Sequence, residues 1–368
     1  MEKKSYISAY QAVMLLFVGR IMFSSSYQAA IQAENSFQDL LISVVITFIL
    51  NFIVAIPILS LLKRYPQNDI IEGGINISGR GFGSFLAILY SLFFIFNATV
   101  IAGNFENFFT ATIVPEVKAY FSGLLLIIVC LYGAVKGIES IARFGSVVAV
   151  IYILTFILIV SCLIQRIDWN ELRPLLYNGP GIMLRGVIMN YNMSIQIVAL
   201  GILMSNIVPG KSPFKTFAAW NILSTVIFFI LELMIITVTG AYGASDIYPV
   251  RLLASIAQIS VFERLDILDM IAWVLNIILT LTLYIYLAVA CLLKIGLNKH
   301  RRLLIFVSGV IVLLGSLYFS SDFPILQSIM VSGYYSLINT IFIVIIPLVL
   351  LIIDTVKGKV LQNANKNA

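Results

Sequence analysis

Apolar stretches of about 20 residues recur along this whole chain, and each is long enough to cross the hydrocarbon core of a bilayer. Lipid offers the backbone no hydrogen-bonding partner, so a spanning segment must be a helix or part of a closed barrel. The stretches are continuously apolar rather than alternating, which excludes a barrel. Charged residues make up only 11% of the 368 residues, too few to cover a globule in water. The sequence therefore predicts an all-α integral membrane protein.

We predict about ten transmembrane helices, numbered spans 1 to 10 in chain order. Their ranges are 10–30, 40–62, 82–105, 120–135, 144–165, 182–208, 217–242, 265–293, 303–319 and 335–353. Two lysines precede span 1, as in a signal peptide, but the span is too long and lacks a small-residue cleavage site. We therefore expect span 1 to be retained in a single transmembrane domain that covers residues 1–368.

The distribution of lysine and arginine predicts the orientation of the spans. Sixteen of these residues fall on the side that holds both termini and the 2–3, 4–5, 6–7 and 8–9 loops, and six fall on the other side. The sixteen are Lys3, Lys4, Lys63, Arg64, Arg80, Lys136, Arg143, Lys211, Lys215, Lys294, Lys299, Arg301, Arg302, Lys357, Lys359 and Lys366. Both termini are thus expected in the cytoplasm. The net charge of +6 reflects this topology rather than nucleic-acid binding, since no basic-aromatic patch accompanies it.

The sequence offers few groups for catalysis, so we predict neither an enzyme nor a cofactor or metal site. The single histidine, His300, falls in a basic loop. The stretch Pro209-Gly210-Lys211-Ser212 lacks the earlier glycine of a phosphate-binding loop. The three cysteines are expected to be packing residues within spans; they are Cys130, Cys162 and Cys291.

Two ionisable residues fall near the middle of predicted spans, where a charge is costly and commonly functional. Arg20 lies about halfway along span 1, and Glu232 lies near the centre of span 7. One interpretation is a structural pair between them, or separate pairing to backbone and water. Another is that the Arg20 guanidinium receives an anionic ligand group, because guanidinium binds carboxylates bidentately.

Two spans carry polar or small residues that favour an interruption of the helix. These segments are residues 19–26 in span 1 and residues 190–196 in span 6. Paired interruptions in corresponding halves indicate an inverted-repeat transporter fold with a central binding site. The repeats would cover approximately residues 8–165 and 182–353.

Polar stripes on two further spans support a central cavity. Asn97 and Asn104 are seven residues apart on span 3, and Asn276, Thr280 and Tyr284 recur every fourth residue on one face of span 8. The alternative is that these side chains only hold helices together.

Several short motifs resemble the B subunit of bacterial spore germinant receptors, within the amino acid–polyamine–organocation transporter superfamily. The motifs are Lys63-Arg64-Tyr65-Pro66, Phe105-Glu106-Asn107-Phe108, Gly137-Ile138-Glu139-Ser140, Leu172-Arg173-Pro174-Leu175 and Phe262-Glu263-Arg264-Leu265. Their order and spacing cover nearly the whole chain. The resemblance implies two inverted five-helix repeats with broken helices 1 and 6. It also implies a role in sensing small nutrients, typically amino acids, in the inner membrane of a spore. The implied partners are an A subunit and a lipoprotein C subunit.

We expect the ligand where spans 1, 3, 6 and 8 converge near mid-membrane. The predicted ligand-binding residues are Gly19, Arg20, Ser24, Phe96, Asn97, Val100, Met193, Ser194, Gln196, Asn276 and Thr280. The first three would receive a ligand carboxylate at exposed helix ends. Two other functions stay open: a secondary amino-acid transporter, and an assembly or conducting subunit with a vestigial pocket.

Overall fold

The computed structural model describes residues 5–24, 37–110, 118–176, 179–246, 248–257, 265–320, 326, 328–330 and 332–366. Its α-helices in chain order are α1 Ala9–Ser24, α2 Leu40–Arg64, α3 Ile70–Ser78, α4 Arg80–Phe108, α5 Ala119–Lys136, α6 Ile138–Leu163, α7 Gly181–Asn192, α8 Gln196–Leu203, α9 Pro213–Met234, α10 Gly240–Ser245, α11 Pro249–Ile256, α12 Asp266–Leu293, α13 Arg301–Ser320, α14 Gly333–Thr340 and α15 Ile346–Lys366. Short 3₁₀ turns cover Phe37–Asp39, Ile164–Arg166, Trp169–Leu172, Met204–Asn206 and Asn298–His300.

The predicted spans correspond to these helices. Eight helical segments of the described chain are long and apolar enough to cross a bilayer, and two shorter apolar helices, Ala9–Ile21 and Tyr120–Lys136, match predicted spans 1 and 4. The prediction of an all-α membrane bundle is confirmed. Spans 7 and 10 each contain a π-helical stretch, Ile235–Thr239 and Ile341–Ile345, which the sequence did not reveal.

The helix ends follow local sequence signals. Asp69 caps α3 through its carboxylate and forms a reciprocal capping box with Glu72. Ser212 caps α9, whose first residue is Pro213. Between α3 and α4 the backbone of Gly79 has φ 86°, a value that favours glycine. Asp69 and Ser212 thus mark the starts of α3 and α9, and Gly79 marks the turn between α3 and α4.

Spans 6 and 8 form the centre of the bundle, and spans 9 and 10 form its periphery. In its most apolar stretch span 6 is 94% buried within the protein, whereas span 10 is 22% buried. Helix α1 packs against α6, α9 and α12, and α12 also packs closely against α4. Arg20 on α1 and the polar residues at 190–196 in span 6 are enclosed by protein rather than by lipid.

Contacts between loops bring one set of chain segments to the same end of the bundle, which we call the N-terminal face. Ile7 forms a parallel bridge with Ile207, with its N–H donating to the Asn206 carbonyl at 2.8 Å. Lys294 pairs with Asp69 across the 8–9 and 2–3 connections. Arg64 reaches Asp354 near the end of the chain at 2.7 Å. The N-terminus, the 2–3, 6–7 and 8–9 loops and the C-terminal helix thus share one side.

Candidate functional site

Span 6 is interrupted where its polar residues predicted a break. Helix α7 ends at Asn192 and α8 begins at Gln196, with a turn over residues 193–195 between them. The Ser194 N–H donates to the Tyr191 carbonyl at 2.8 Å, which closes the turn. The break lies within the most buried span, so the polar groups at these two helix ends face other helices.

Span 1 differs from the expectation at the same depth. Helix α1 runs without interruption through Gly19 and Arg20 to Ser24, so the predicted interruption does not begin at Gly19. The rest of that predicted segment, residues 25 and 26, lies outside the described residues, as does the side chain of Ser24. Glycine has a packing role at this position, because a Cβ there would lie 2.9 Å from Gln196 Nε2. Helix α1 can approach α8 this closely because glycine has no side chain.

Arg20 is the largest charged side chain enclosed at the break. It is 1% exposed, and its Nη1 donates to Ser194 Oγ at 3.2 Å. Its guanidinium carbon lies 5.7 Å from the centre of the Trp220 ring on α9, within cation–π range. Arg20 Nε has no hydrogen-bond partner among the described residues. A buried guanidinium with an unused donor has capacity to bind an anionic group.

The side chain of Arg20 contacts Ser194 and Trp220, whereas Glu232 lies further along α9. Trp220, against which Arg20 packs, lies twelve residues before Glu232 in α9, about 18 Å along the helix axis. Glu232 is fully buried and engages another group of the protein. The structural pair between Arg20 and Glu232 stays one of the two interpretations that the sequence allows.

Ser194 connects Arg20 to a chain of asparagines that the sequence analysis did not select. Ser194 Oγ donates to Asn51 Oδ1 at 2.8 Å, and Asn51 Nδ2 donates to Asn221 Oδ1 at 3.0 Å. Asn221 in turn donates to the Phe48 carbonyl at 3.2 Å. Asn51 and Asn221 could have been found in the sequence, since each is a lone asparagine within an apolar span and an amide without a partner is costly in a bilayer.

Gln196 links the break to span 8. Its Nε2 donates to the Tyr284 hydroxyl at 3.1 Å, whereas its Oε1 has no partner among the described residues. Tyr284 lies one turn beyond Thr280 on the predicted polar face of α12 and is fully buried. We call Arg20, Asn51, Ser194, Gln196 and Tyr284 the central cluster.

The other predicted residues on α12 line the same face but bond within their helix. Thr280 Oγ1 donates to the Asn276 carbonyl at 2.8 Å, and both side chains are buried. Asn276 Oδ1 has no hydrogen-bond partner among the described residues. This face therefore offers a further acceptor, two turns from Tyr284.

The predicted residues on α4 meet span 10. Asn97 Nδ2 donates to the Phe93 carbonyl at 2.8 Å, and its Oδ1 accepts from the Tyr335 hydroxyl at 2.6 Å. The Phe96 ring lies 6.1 Å from the Tyr335 ring, and Val100 is fully buried. Tyr335 was not selected from the sequence, which placed span 10 outside the site. Met193 lies in the turn of span 6 and is buried.

A second buried polar group lies on the N-terminal face, and we call it the ionic junction. Lys294 Nζ lies 2.9 Å from Asp69 Oδ2, 2.6 Å from Glu72 Oε1 and 3.4 Å from Ser205 Oγ. Ser205 also donates to Asp69 at 3.1 Å. Burial lowers the pKa of Lys294, but the charges of Asp69 and Glu72 outweigh burial and raise that pKa above its ordinary value. In the sequence alone, Lys294 contributes only to the charge bias that predicts the topology.

Comparison with known proteins places this architecture. The family model for spore germination proteins matches residues 6–324. Spore germination protein XB of Bacillus anthracis is 22% identical over 275 residues, covering 74% of this chain and 76% of that protein.

Three solved transporter structures share the fold. MhsT in complex with L-phenylalanine has a TM-score of 0.69 at 15% identity, covering 95% of this chain and 99% of MhsT. A substrate-bound, outward-open Na⁺-coupled sialic acid symporter has a TM-score of 0.61 at 13% identity, covering 93% and 88%. Mhp1, a nucleobase-cation-symport-1 family transporter in a closed conformation with bromovinylhydantoin, has a TM-score of 0.51 at 13% identity, covering 90% and 79%.

At these identities the likeness to the three structures concerns the fold alone. The neighbours are transporters rather than enzymes, and the family match extends over most of the chain. The chain therefore belongs to the spore germination protein family, as an integral membrane protein built on an inverted-repeat transporter fold.

Proposed function

We propose that this chain is the nutrient-sensing membrane subunit of a spore germination receptor, and that it binds an amino acid at the central cluster. The observation that carries the proposal is the pair of unused polar atoms beside the break in span 6. Arg20 Nε is an unpaired donor, and Gln196 Oε1 is an unpaired acceptor. A Cβ at Gly19, the neighbour of Arg20, would lie 2.9 Å from Gln196 Nε2, which places both side chains at the contact between α1 and α8.

An amino acid matches both atoms. Its carboxylate would bind the Arg20 guanidinium, since charge-assisted hydrogen bonds to guanidinium are strong. Its ammonium group would donate to Gln196 Oε1. Gly19 and Ser24 would border the carboxylate, and Met193 would close the opposite wall. The selecting residues would be Phe96, Asn97, Val100, Asn276 and Thr280. The L-phenylalanine bound by MhsT supports this ligand class by analogy of fold.

The proposed location is the inner membrane of the spore, with both termini in the cytoplasm and with an A subunit and a lipoprotein C subunit as partners. The excess of lysine and arginine on the N-terminal face supports this orientation. Reporter fusions after Lys63, Lys211 and Arg301 should read cytoplasmic, and fusions after Glu116 and Asp322 should read external. The last two positions lie outside the described residues. Both sets on one side would refute the orientation.

A secondary amino-acid transporter is the second candidate, because two of the similar structures, the sialic acid symporter and Mhp1, are transporters with this fold. Transport requires a coupling ion, so uptake of a labelled amino acid into vesicles that depends on a proton or sodium gradient would favour it. An assembly or conducting subunit with a vestigial pocket would show neither uptake nor ligand-dependent phenotypes. Exchanging this subunit between two receptors would show whether the nutrient response follows it.

The test of the proposed site enlarges two of its walls. Met193→Trp and Thr280→Trp should each raise the nutrient concentration required for half-maximal germination, without lowering the amount of subunit in spore membranes. If these residues only pack helices, overpacking should cost about 1–3 kcal/mol and reduce the amount of protein. Reduced abundance with an unshifted midpoint would refute the pocket.

A further inference from the structure

A cavity of about 680 Å³ opens on the N-terminal face, away from the central cluster. It lies between the end of α2, the residues that follow α2, and the segment that joins span 6 to α9. Its rim includes Lys63 and Lys211, and its wall includes Phe52, Ile56 and Phe214. The volume falls within the range of small-molecule sites, roughly 300–1,000 Å³.

The two rim lysines are exposed and have no ion pair within the part of the chain that the structure describes. Basic residues nearby are engaged: Arg64 pairs with Asp354 at 2.7 Å, and Lys357 donates to the Ile77 carbonyl at 2.6 Å. The lining of the cavity therefore includes two positive charges without a described counter-charge. The N-terminal end of α9 beside Lys211 adds partial positive charge.

Another part of the cavity wall is apolar and belongs to helices that span the membrane. The Phe52 and Phe214 rings lie 6.3 Å apart and form one wall. Ile56 is 57% exposed and Phe214 is 55% exposed, although both belong to helices that span the membrane. Ile56 precedes Lys63 by seven residues in α2, or about 10 Å along the axis. The cavity thus changes from basic to apolar over the depth between a lipid headgroup and its acyl chains.

We propose that this cavity binds one anionic phospholipid, with the phosphate between Lys63 and Lys211 and an acyl chain along Phe52, Ile56 and Phe214. Basic pockets between transmembrane helices at this membrane surface suit acidic headgroups. A zwitterionic lipid would bring its own cation against the two lysines, and a soluble anion would leave the apolar wall unfilled. Charge complementarity and the apolar wall together select an acidic lipid.

The site borders the segment that holds the N-terminus. Ile207 and Val208 line the cavity. The Val208 N–H donates to the Ile7 carbonyl at 3.0 Å, and the Ile7 N–H donates to the Asn206 carbonyl at 2.8 Å. A lipid in the cavity would therefore stabilise the contact between the N-terminal segment and the end of span 6.

The first test measures lipid retention by the purified full-length protein. Wild type, Lys63→Gln/Lys211→Gln and the charge-matched control Lys299→Gln/Arg302→Gln are equilibrated with phosphatidylglycerol or phosphatidylcholine and examined by native mass spectrometry. We expect the first variant to bind phosphatidylglycerol about tenfold or more weakly, since each basic residue near the surface contributes appreciably. The control and the phosphatidylcholine affinity should be unchanged. Equal loss in both variants would indicate general attraction to acidic lipid and would overturn the site.

A second measurement follows the acyl chain. In the Phe214→Trp variant, brominated-chain phosphatidylglycerol should quench the added fluorescence more strongly than brominated phosphatidylcholine does, and inorganic phosphate should not reverse the quenching. Equal quenching by both lipids would overturn the proposal. Displacement of the lipid by an acidic peptide at equal concentration would show that the face binds a protein segment instead.

Discussion

The central cluster and the ionic junction are both buried polar groups that join helices distant in sequence, yet they differ in how their hydrogen-bonding capacity is used. In the junction, Lys294 contacts two carboxylates and a hydroxyl. Asp69 also accepts from backbone N–H groups at the start of α3. In the central cluster, Arg20 Nε and Gln196 Oε1 have no described partner.

The difference distinguishes a structural ion-pair cluster from the proposed binding site. A buried polar group without a partner costs about 1–3 kcal/mol, and more when it is charged. The junction avoids this cost within the protein, so it needs no ligand to be stable. The central cluster retains the cost in the described structure, and a ligand that supplies a carboxylate and an ammonium group would remove it. We infer that the junction holds the N-terminal face together while the cluster remains available for binding.

The largest effect is expected at Glu232, which tests whether this bundle tolerates an unmatched buried charge at all. Glu232→Gln keeps the shape of the side chain, so the protein should accumulate. Glu232→Lys introduces a cation into a fully buried position, at a cost of several kcal/mol, and should not accumulate. Membrane abundance measures both. Normal abundance and function of Glu232→Lys would mean that this position is accessible to water or headgroups.

The next effect is expected at Lys294. Lys294→Gln leaves Asp69 and Glu72 without a cation, which should lower the free energy of unfolding by about 3 kcal/mol. Since the pKa of Lys294 is raised, the stability it contributes should be full below the ordinary lysine value and be lost as pH rises through the raised one. Thermal unfolding in detergent measures both effects.

The control for Lys294 is an exposed pair. Glu139→Gln removes the contact with Arg143, whose side chain is 73% exposed, and should cost under about 1 kcal/mol. Equal losses in the free energy of unfolding at the two sites would mean that the ionic junction contributes no more than a surface ion pair.

Arg20 should affect ligand response rather than stability. Arg20→Lys keeps the charge but loses the planar fork that grips a carboxylate, so the nutrient concentration for half-maximal germination should rise about tenfold or more. Arg64→Lys, at the surface pair with Asp354, serves as the control and should leave that concentration unchanged. A normal response with normal abundance of Arg20→Lys would assign the guanidinium to packing.

The smallest effect is expected at Gly19. In Gly19→Ala the new methyl group would lie 2.9 Å from Gln196 Nε2, so the amide must move by a few tenths of an ångström. We expect a shift of about fivefold in the same dose–response curve, equivalent to about 1 kcal/mol. Gly81→Ala, where nothing lies within 4 Å, is the matched control. An unshifted curve for Gly19→Ala would show that Gln196 does not contact the ligand.

Local sequence was sufficient for the spans, for the break in span 6 and for the presence of a buried arginine in span 1. Each depends on transfer of side chains and backbone into lipid, which neighbouring residues decide. The same reasoning began a break in span 1 at Gly19, where α1 is continuous, because a glycine inside an apolar helix signals either an interruption or a close contact. Here α1 continues past Gly19, and the lack of a side chain on that glycine leaves room for the side chain of Gln196.

The pairings between helices were decided only by the tertiary structure. Asn51 and Asn221 are isolated polar residues in the sequence, yet in the structure they extend the hydrogen-bond network of Arg20 and Ser194. Asn97 is a predicted pocket residue, and its side-chain oxygen Oδ1 accepts a hydrogen bond from the Tyr335 hydroxyl. Hydropathy and spacing establish which residues enter the membrane and which face of a helix they share. They do not establish which neighbour each polar group meets, because that depends on the relative depth and rotation of packed helices.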